Sequence, residues 1–266
     1  MRGRPARGGY SGSVLILLPP SEGKSAARTG APLHLDDLHF PDLNDARRAV
    51  LDALRAASAA DDAHAVLGVG ASLAEDVARN LVLDVAPAAP AHDIYSGVLY
   101  DALDYAGMTA VQRRKARDQC VVVSALWGAV GFGDRIPAYR LSMSVDLPGT
   151  GRLATYWRQH LAAPLAHHAG EGLIVDCRSS TYAAAWAPPP PQSAAVNVFH
   201  MRNGKRTVVS HFAKHTRGEL ARHLLTRRGA TPVTPDALLG AAREKWTADL
   251  EPATTRKPAQ LNIVLD

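Results

Sequence analysis

The chain has 266 residues, 47% of them hydrophobic, with 30 Lys and Arg against 25 Asp and Glu and a formal charge of +5. That apolar share suits a globular core, and the cationic excess favours anionic partners, nucleic acid among them. No apolar run reaches the ~18–20 residues of a membrane span, and no repeat marks a solenoid or propeller. Val14–Leu18, behind the basic opening MRGRPARGGYSGS, is too short for a secretory segment and is interrupted by Pro19-Pro20. The expectation is a loose basic tail over residues 1–12, a single α/β domain over 13–266, and a cytoplasmic protein with no membrane partner.

In chain order, VLILL (14–18) reads as a buried strand stopped by two prolines. A helix follows over 44–57 behind Asn44 as N-cap, and another over 72–80, where Ser72 and Glu75 have capping-box spacing. A short basic helix over 109–117 leads into CVVVSAL (120–126), a second buried strand, and then the glycine-rich loop GAVGFGDRIPAYR. An amphipathic helix over 151–168 precedes the strand GLIVDCRSS (172–180), and a helical turn is ended by the tetraproline 188–191. AAVNVFHM and RTVVSHFA form strands joined by RNGK, a hairpin with an Asn-Gly turn. A helix over 216–228, a further short helix and the strand LNIVLD close the chain. The hairpin predicts a mixed rather than purely parallel sheet.

Cys120 and Cys177 sit beside strand-like runs and read as buried thiols, with no Cys-x-x-Cys and no disulfide expected in a reducing compartment. Among eleven histidines, His167 and His168 are adjacent and diverge by ~100° on a helix. His211 and His215 are separated by an expected strand-to-helix junction, and no His-Glu-x-x-His occurs. Neither metal nor cofactor is expected.

Candidate chemistry clusters after strands, where loops carry function. PPSEGKS follows the first strand but lacks the first glycine of a Walker loop, which leaves a looser anion cradle of Ser21, Lys24 and Ser25, or a plain polar turn. HDIYSG offers Asp93 and Tyr95; DRIPAYR offers Asp134, Arg135, Tyr139 and Arg140, with Asp134 able to pair with Arg140 or act as a base. CRSSTY offers Ser179 and Tyr182, and AKHTRG places Lys214 and Arg217 three apart on one helix face.

Taken together, these segments resemble the YaaA-like, peroxide-stress-associated family over roughly residues 13–265. PPSEGK is similar to the actinobacterial form of the family's first loop, with Lys24 the shared residue. DIYSG (93–97), LWG, DRIPAYRLSM, LATYW, SSTY and FAKHTRG match the family's remaining motifs in order and spacing. The sequence departs from the pattern at VGFG (130–133), where the family has Leu-Arg-Pro. The resemblance implies a compact α/β domain with a positively charged cleft. It further implies a role in limiting peroxide damage, linked to intracellular iron, and DNA binding through a helix-hairpin-helix-like element.

Two functions are compatible with the residues. A duplex-DNA binder would use Lys24, Arg135, Arg140, Lys214 and Arg217 on the phosphate backbone. An enzyme on a phosphate-bearing, nucleotide- or nucleobase-like small molecule would hold an anion with Lys24 and Arg217. Asp134 or Asp93 would then serve as acid or base, and Ser179 or Tyr182 would orient the substrate. The DNA-binding peroxide-stress protein is the leading expectation; carboxylates at Asp93, Asp134 and Asp176 among the cations keep the enzyme as its alternative.

Overall fold

The computed structural model describes residues 14–202, 205–208 and 210–265. The basic tail and the Asn203-Gly204 turn lie outside the described residues.

β1 (Val14–Leu18) is buried along its whole length and ends where Pro19 and Pro20 can donate nothing to a ladder. Helices α1 (Asn44–Ala59), α2 (Ala63–Leu67) and α3 (Ala74–Arg79) follow. The short β2 (Ala89–Pro90) leads through α4 (Ala91–Ile94), α5 (Val98–Leu103) and α6 (Ala110–Gln119) to β3 (Cys120–Ser124). β4 (Gly128–Gly131) turns back along β3. The two-residue strands β5 (Arg135–Ile136), β6 (Asp146–Leu147) and β7 (Gly151–Arg152) then lead to α7 (Leu153–Ala169). β8 (Leu173–Asp176) and α8 (Ser180–Ala183) precede the hairpin of β9 (Ser193–Arg202) and β10 (Lys205–Val208). The chain continues through α9 (Ser210–Thr226), α10 (Pro235–Arg243), β11 (Thr247–Glu251) and β12 (Ala259–Leu265).

Eight strands form one sheet in the order β11-β12-β9-β8-β1-β3-β4, with β10 also on β9. β3, β1, β8, β9 and β12 are parallel to their neighbours in that row, whereas β4, β10 and β11 are antiparallel. The sheet is therefore mixed. Its central strands read as continuous apolar runs because both faces are covered. The parallel register brings the carboxyl ends of β1, β3 and β8 to one edge, where the sequence motifs begin.

Several local expectations shift. The glycine-rich stretch after Trp127 is not all loop, since residues 128–131 are β4. KWTADLE contains β11, whose alternation is too weak to announce itself. Asn44 is the first helical residue of α1, behind Leu43, and its side chain bonds Asp36 and Arg47 instead of capping. Ser72 lies in a 3-10 turn, and α3 starts without a side-chain cap. The true capping box is Thr109 with Gln112, at the start of α6. α9 begins at Ser210, so the junction expected between His211 and His215 lies before both. No described helix is long and apolar enough to cross a membrane.

Two glycines set close approaches. Gly128 has φ +69°, and the Trp157 ring lies where a side chain would stand, while Trp157 Nε1 donates to Ala125 O at 2.7 Å. LWG and LATYW are thus two halves of one packing unit. Gly218 lies in α9 against α5: a Cβ there would overlap Leu99 O and sit 2.9 Å from Ala102 Cβ. Gly→Ala within an exposed helix gains about 1 kcal/mol. Here the backbone must move apart, so Gly218→Ala should instead lose roughly 1–3 kcal/mol, measured as a lower midpoint in urea.

Candidate functional site

The segment after β1 is stitched to the chain around α4 and α5. Tyr100 Oη donates to Pro19 O (2.7 Å), Ser96 N donates to Ser21 Oγ (3.1 Å), and Ser25 N donates to Ile94 O (2.9 Å). An isolated antiparallel bridge joins Lys24 to Tyr95. These bonds turn the Lys24 side chain inward. Its Nζ donates to Ser21 O at 2.8 Å and Glu22 O at 3.4 Å, and lies 4.2 Å from the Tyr139 ring centre and 5.8 Å from that of Tyr95. The residue as a whole is partly buried, and its amine is packed against the two tyrosine rings. Burial pushes its pKa down to about 7; Glu22 and Asp76 oppose the shift, and Arg140 adds to it. The neutral amine is therefore accessible at neutral pH. Such an amine has two N–H donors for the two carbonyls and keeps its lone pair.

Beside the amine runs a chain of hydroxyls. Tyr95 Oη lies 3.1 Å from Tyr139 Oη, which lies 2.7 Å from Ser124 Oγ at the end of β3. Ser124 Oγ also accepts from Leu126 N (3.2 Å) and Trp127 N (3.0 Å). Tyr95 also interacts with the Ser124 side chain, so the three hydroxyls form one set that shares its hydrogens. Burial holds the Tyr95 and Tyr139 pKa values well above the usual phenol value, so both remain proton donors. Tyr182 is buried nearby, bonded to Ser142 and the Met143 backbone, and its pKa is raised chiefly by burial.

Arg140 covers this chamber. Its Nη2 meets Glu22 Oε2 at 3.1 Å and its Nη1 donates to Glu22 O at 3.0 Å, while Asn80 clasps its backbone N and O. The Glu22 side chain is 56% exposed. On the far side of this pair is a hollow of about 370 Å³ lined by Glu22, Arg140, Ser142, Ser144 and Asp146, with residues 66–69. It carries both signs of charge. On the near side, Asp76, Arg79 and Ala138 complete the surroundings of Lys24.

Ser21, Lys24, Tyr95, Tyr139, Arg140 and Tyr182 therefore meet, although 161 positions separate the first from the last. Of the other expected residues, Asp134, Arg135 and Arg217 are engaged elsewhere. Asp134 does not pair with Arg140. It is buried at the opposite end of β3, where its carboxylate accepts from His39 N (2.9 Å) and Gly131 N (2.8 Å) and lies 2.5 Å from His39 Nδ1. Asp93 is exposed beside His92. Arg135 donates to Ala88 O on the β2–β5 ladder. Ser179 flanks α8 without capping it. Lys214 is exposed on α9. Arg217 donates twice to Val196 O (3.1 and 2.8 Å), filling the edge of β9 left between the end of β8 and the start of β10. Asp176 is held by the buried Arg178 through two bonds (2.8 and 2.6 Å). Cys177 and Cys120 are buried free thiols, with burial raising the first to about 12. Among the described residues no cluster of His, Cys, Asp or Glu is arranged to hold a metal.

Sequence reasoning passed over Ser124, Asn80 and Asp76. A hydroxyl closing the apolar run CVVVS was the available signal for the first; the buried Asn80 and the partly exposed Asp76 come from a helical stretch with no motif.

The profile of the peroxide stress protein YaaA matches residues 14–251. The chain belongs to the YaaA family. It is 45% identical to a UPF0246 protein of Streptomyces coelicolor over 95% of this chain and 98% of that relative. A UPF0246 protein of Corynebacterium efficiens is 43% identical over 80% of this chain and 85% of its own. One from Roseobacter denitrificans is 31% identical over 66% and 71%.

Two outcomes follow from the geometry. Between pH 7 and about 10 the unfolded chain keeps the Lys24 proton that the native state has released, so the native state gains stability as pH rises. Measured by denaturant unfolding, wild type should therefore gain on Lys24→Met across that window, with Glu22, Asp76, Arg79 and Arg140 left in place. Asp134→Ala strands the buried Gly131 N–H and removes the partner of the partly buried His39 N–H; it should cost about 1–3 kcal/mol, while leaving the Lys24 pKa, read by NMR, where it was.

Proposed function

We propose that this member of the peroxide-stress family is an enzyme whose reactive group is Lys24, acting on a small polar molecule that enters from the hollow beside Arg140. The single observation behind this reading is the enclosed amine, its pKa pushed down to about 7 by burial, set against the buried Tyr139–Tyr95 phenol pair. Perturbed groups of this kind gather where chemistry is done. Base or nucleophile, Lys24 acts through its lone pair, and Tyr139 and Tyr95 supply the proton. A phosphate-bearing or nucleobase-like molecule fits a hollow at the small end of ligand pockets, ~300–1,000 Å³. Asp134, Asp93 and Ser179 have no part in this scheme. The reaction would limit peroxide damage in the cytosol, and the family's link to iron would run through its substrate or product.

The DNA reading is moved, not removed. Lys24, Arg135, Arg140 and Arg217 spend their donors on protein oxygens, which leaves little for phosphates. Arg113, Arg114 and Arg117 of α6 are exposed, and α6 packs on α9, which carries Lys214. A duplex would lie against that face.

Complementation separates the two. In a bacterium lacking its own family member, wild type should restore growth in hydrogen peroxide and Lys24→Met should not, with both accumulating equally. Arg113→Ala/Arg114→Ala should restore growth fully. The opposite pattern would favour DNA, and a duplex mobility shift at ~50 mM salt, lost in the double variant and at higher salt, would establish it.

A further inference from the structure

We propose that Lys24 captures the carbonyl carbon of a 2-oxo acid as an imine, with Arg140 taking the substrate's carboxylate in place of Glu22. This rests on the enzyme reading above and names its substrate class.

Lys24 Nζ and Arg140 Nη1 converge on one atom, Glu22 O, at 3.4 and 3.0 Å. A nucleophile and a carboxylate receptor are therefore held within a few ångströms of each other. In a 2-oxo acid the electrophilic carbon is bonded directly to the carboxylate carbon, so the two recognition points have the same short spacing. Arg140 also already holds a carboxylate, that of Glu22. A planar guanidinium forks onto carboxylates, and Glu22 occupies the place that a substrate carboxylate would take. Removing Glu22 is cheap. Its side chain is 56% exposed, exposed ion pairs add little to stability, and Gly23 follows it with open space where a side chain would stand. Displacing it opens a way between the hollow and the amine. The hollow's Ser142, Ser144 and Asp146 would face the rest of the molecule.

The chemistry balances without any redox partner. The Lys24 lone pair attacks the carbonyl carbon, and the carbonyl oxygen takes a proton from a phenol of the Tyr139–Tyr95 pair. The nitrogen then gives a proton back to the phenolate, leaving a neutral carbinolamine. Loss of its hydroxyl, protonated by the same phenol, expels water; the nitrogen's second proton returns to the phenolate, and the C=N bond forms. One carbonyl compound and one amine give one imine and one water. A lysine that is neutral near pH 7 is the form this requires, and its enclosed position shields the imine from hydrolysis.

The test is reductive trapping on the full chain. The protein is incubated with pyruvate and cyanoborohydride, then weighed intact and mapped by peptide mass. The expected result is one reduced pyruvate per chain, on the peptide holding Lys24, with little on exposed lysines such as Lys214, Lys245 and Lys257. The trapping rate should rise with pH through about 7. Tyr139→Phe should slow it about 10-fold or more, the lower range of a positioned proton donor. Acetone, a methyl ketone without the carboxylate, should label poorly, and Arg140→Gln should bring pyruvate down toward acetone. Absence of adduct on wild type, or equal labelling of all lysines, overturns the proposal without needing any variant. Equal trapping of acetone and pyruvate, or indifference to Arg140→Gln, overturns the 2-oxo acid. Should Lys24→Met fail to restore peroxide growth while wild type forms no adduct, the enzyme reading stands and the imine falls. Restoration by Lys24→Met removes the enzyme reading itself.

Discussion

The backbone bridge between Lys24 and Tyr95 decides what the rest of the molecule can do. β1 ends at two prolines in the middle of the sheet, at the edge where β3 and β8 also end. A chain leaving there would normally pass into solvent. Here it is caught by Tyr100, Ser96 and Ile94, and the lysine that follows is folded back over the tyrosines. A long cationic side chain usually keeps its head in water. Forced under the loop, this one gives up much of its charge.

The surroundings are built to tolerate that. Two carbonyls accept from the amine, an aromatic face lies under it, and Arg140 is partnered by Glu22 above it. The hydroxyl chain remains protonated because burial opposes a phenolate. Amine and phenol are thus held in the complementary states that proton transfer needs. The remaining cations of the motifs have structural work. Arg217 closes a gap in the sheet edge, Arg178 neutralises Asp176, and Arg47, buried and pushed down to about 10 by its burial, ties α1 to the carbonyls of Trp127, His39 and Ala129. A basic composition is therefore a poor guide to a basic surface in this protein, because many guanidinium groups hold up loops whose carbonyls have no ladder partner.

Asp134 shows the limit of reasoning from motif position. It stands in DRIPAYR, five residues from Tyr139 and six from Arg140, and proximity suggested a shared site. β4 runs antiparallel to β3, however, and carries the chain to the other end of the sheet before Asp134. The chain returns only with Ala138 and Tyr139. A glycine-rich stretch carries no periodicity, so nothing in it announced the reversal.

What the sequence determined by itself was local or additive. The apolar runs of β1, β3 and β8 identified the buried strands, because a strand covered on both faces must be apolar throughout. The hairpin implied a mixed sheet, because only antiparallel neighbours can be joined by so short a turn. The ordered motifs identified the family, and with it the importance of Lys24, Tyr95, Tyr139, Arg140 and Tyr182. What only the tertiary structure decided was non-local: which motif residues meet, which are spent on backbone carbonyls, and whether Lys24 is charged. A pKa depends on every group within a few ångströms, here drawn from residues 21–22, 76, 95 and 139–140. No stretch of the chain contains that neighbourhood until the sheet has brought its carboxyl ends together.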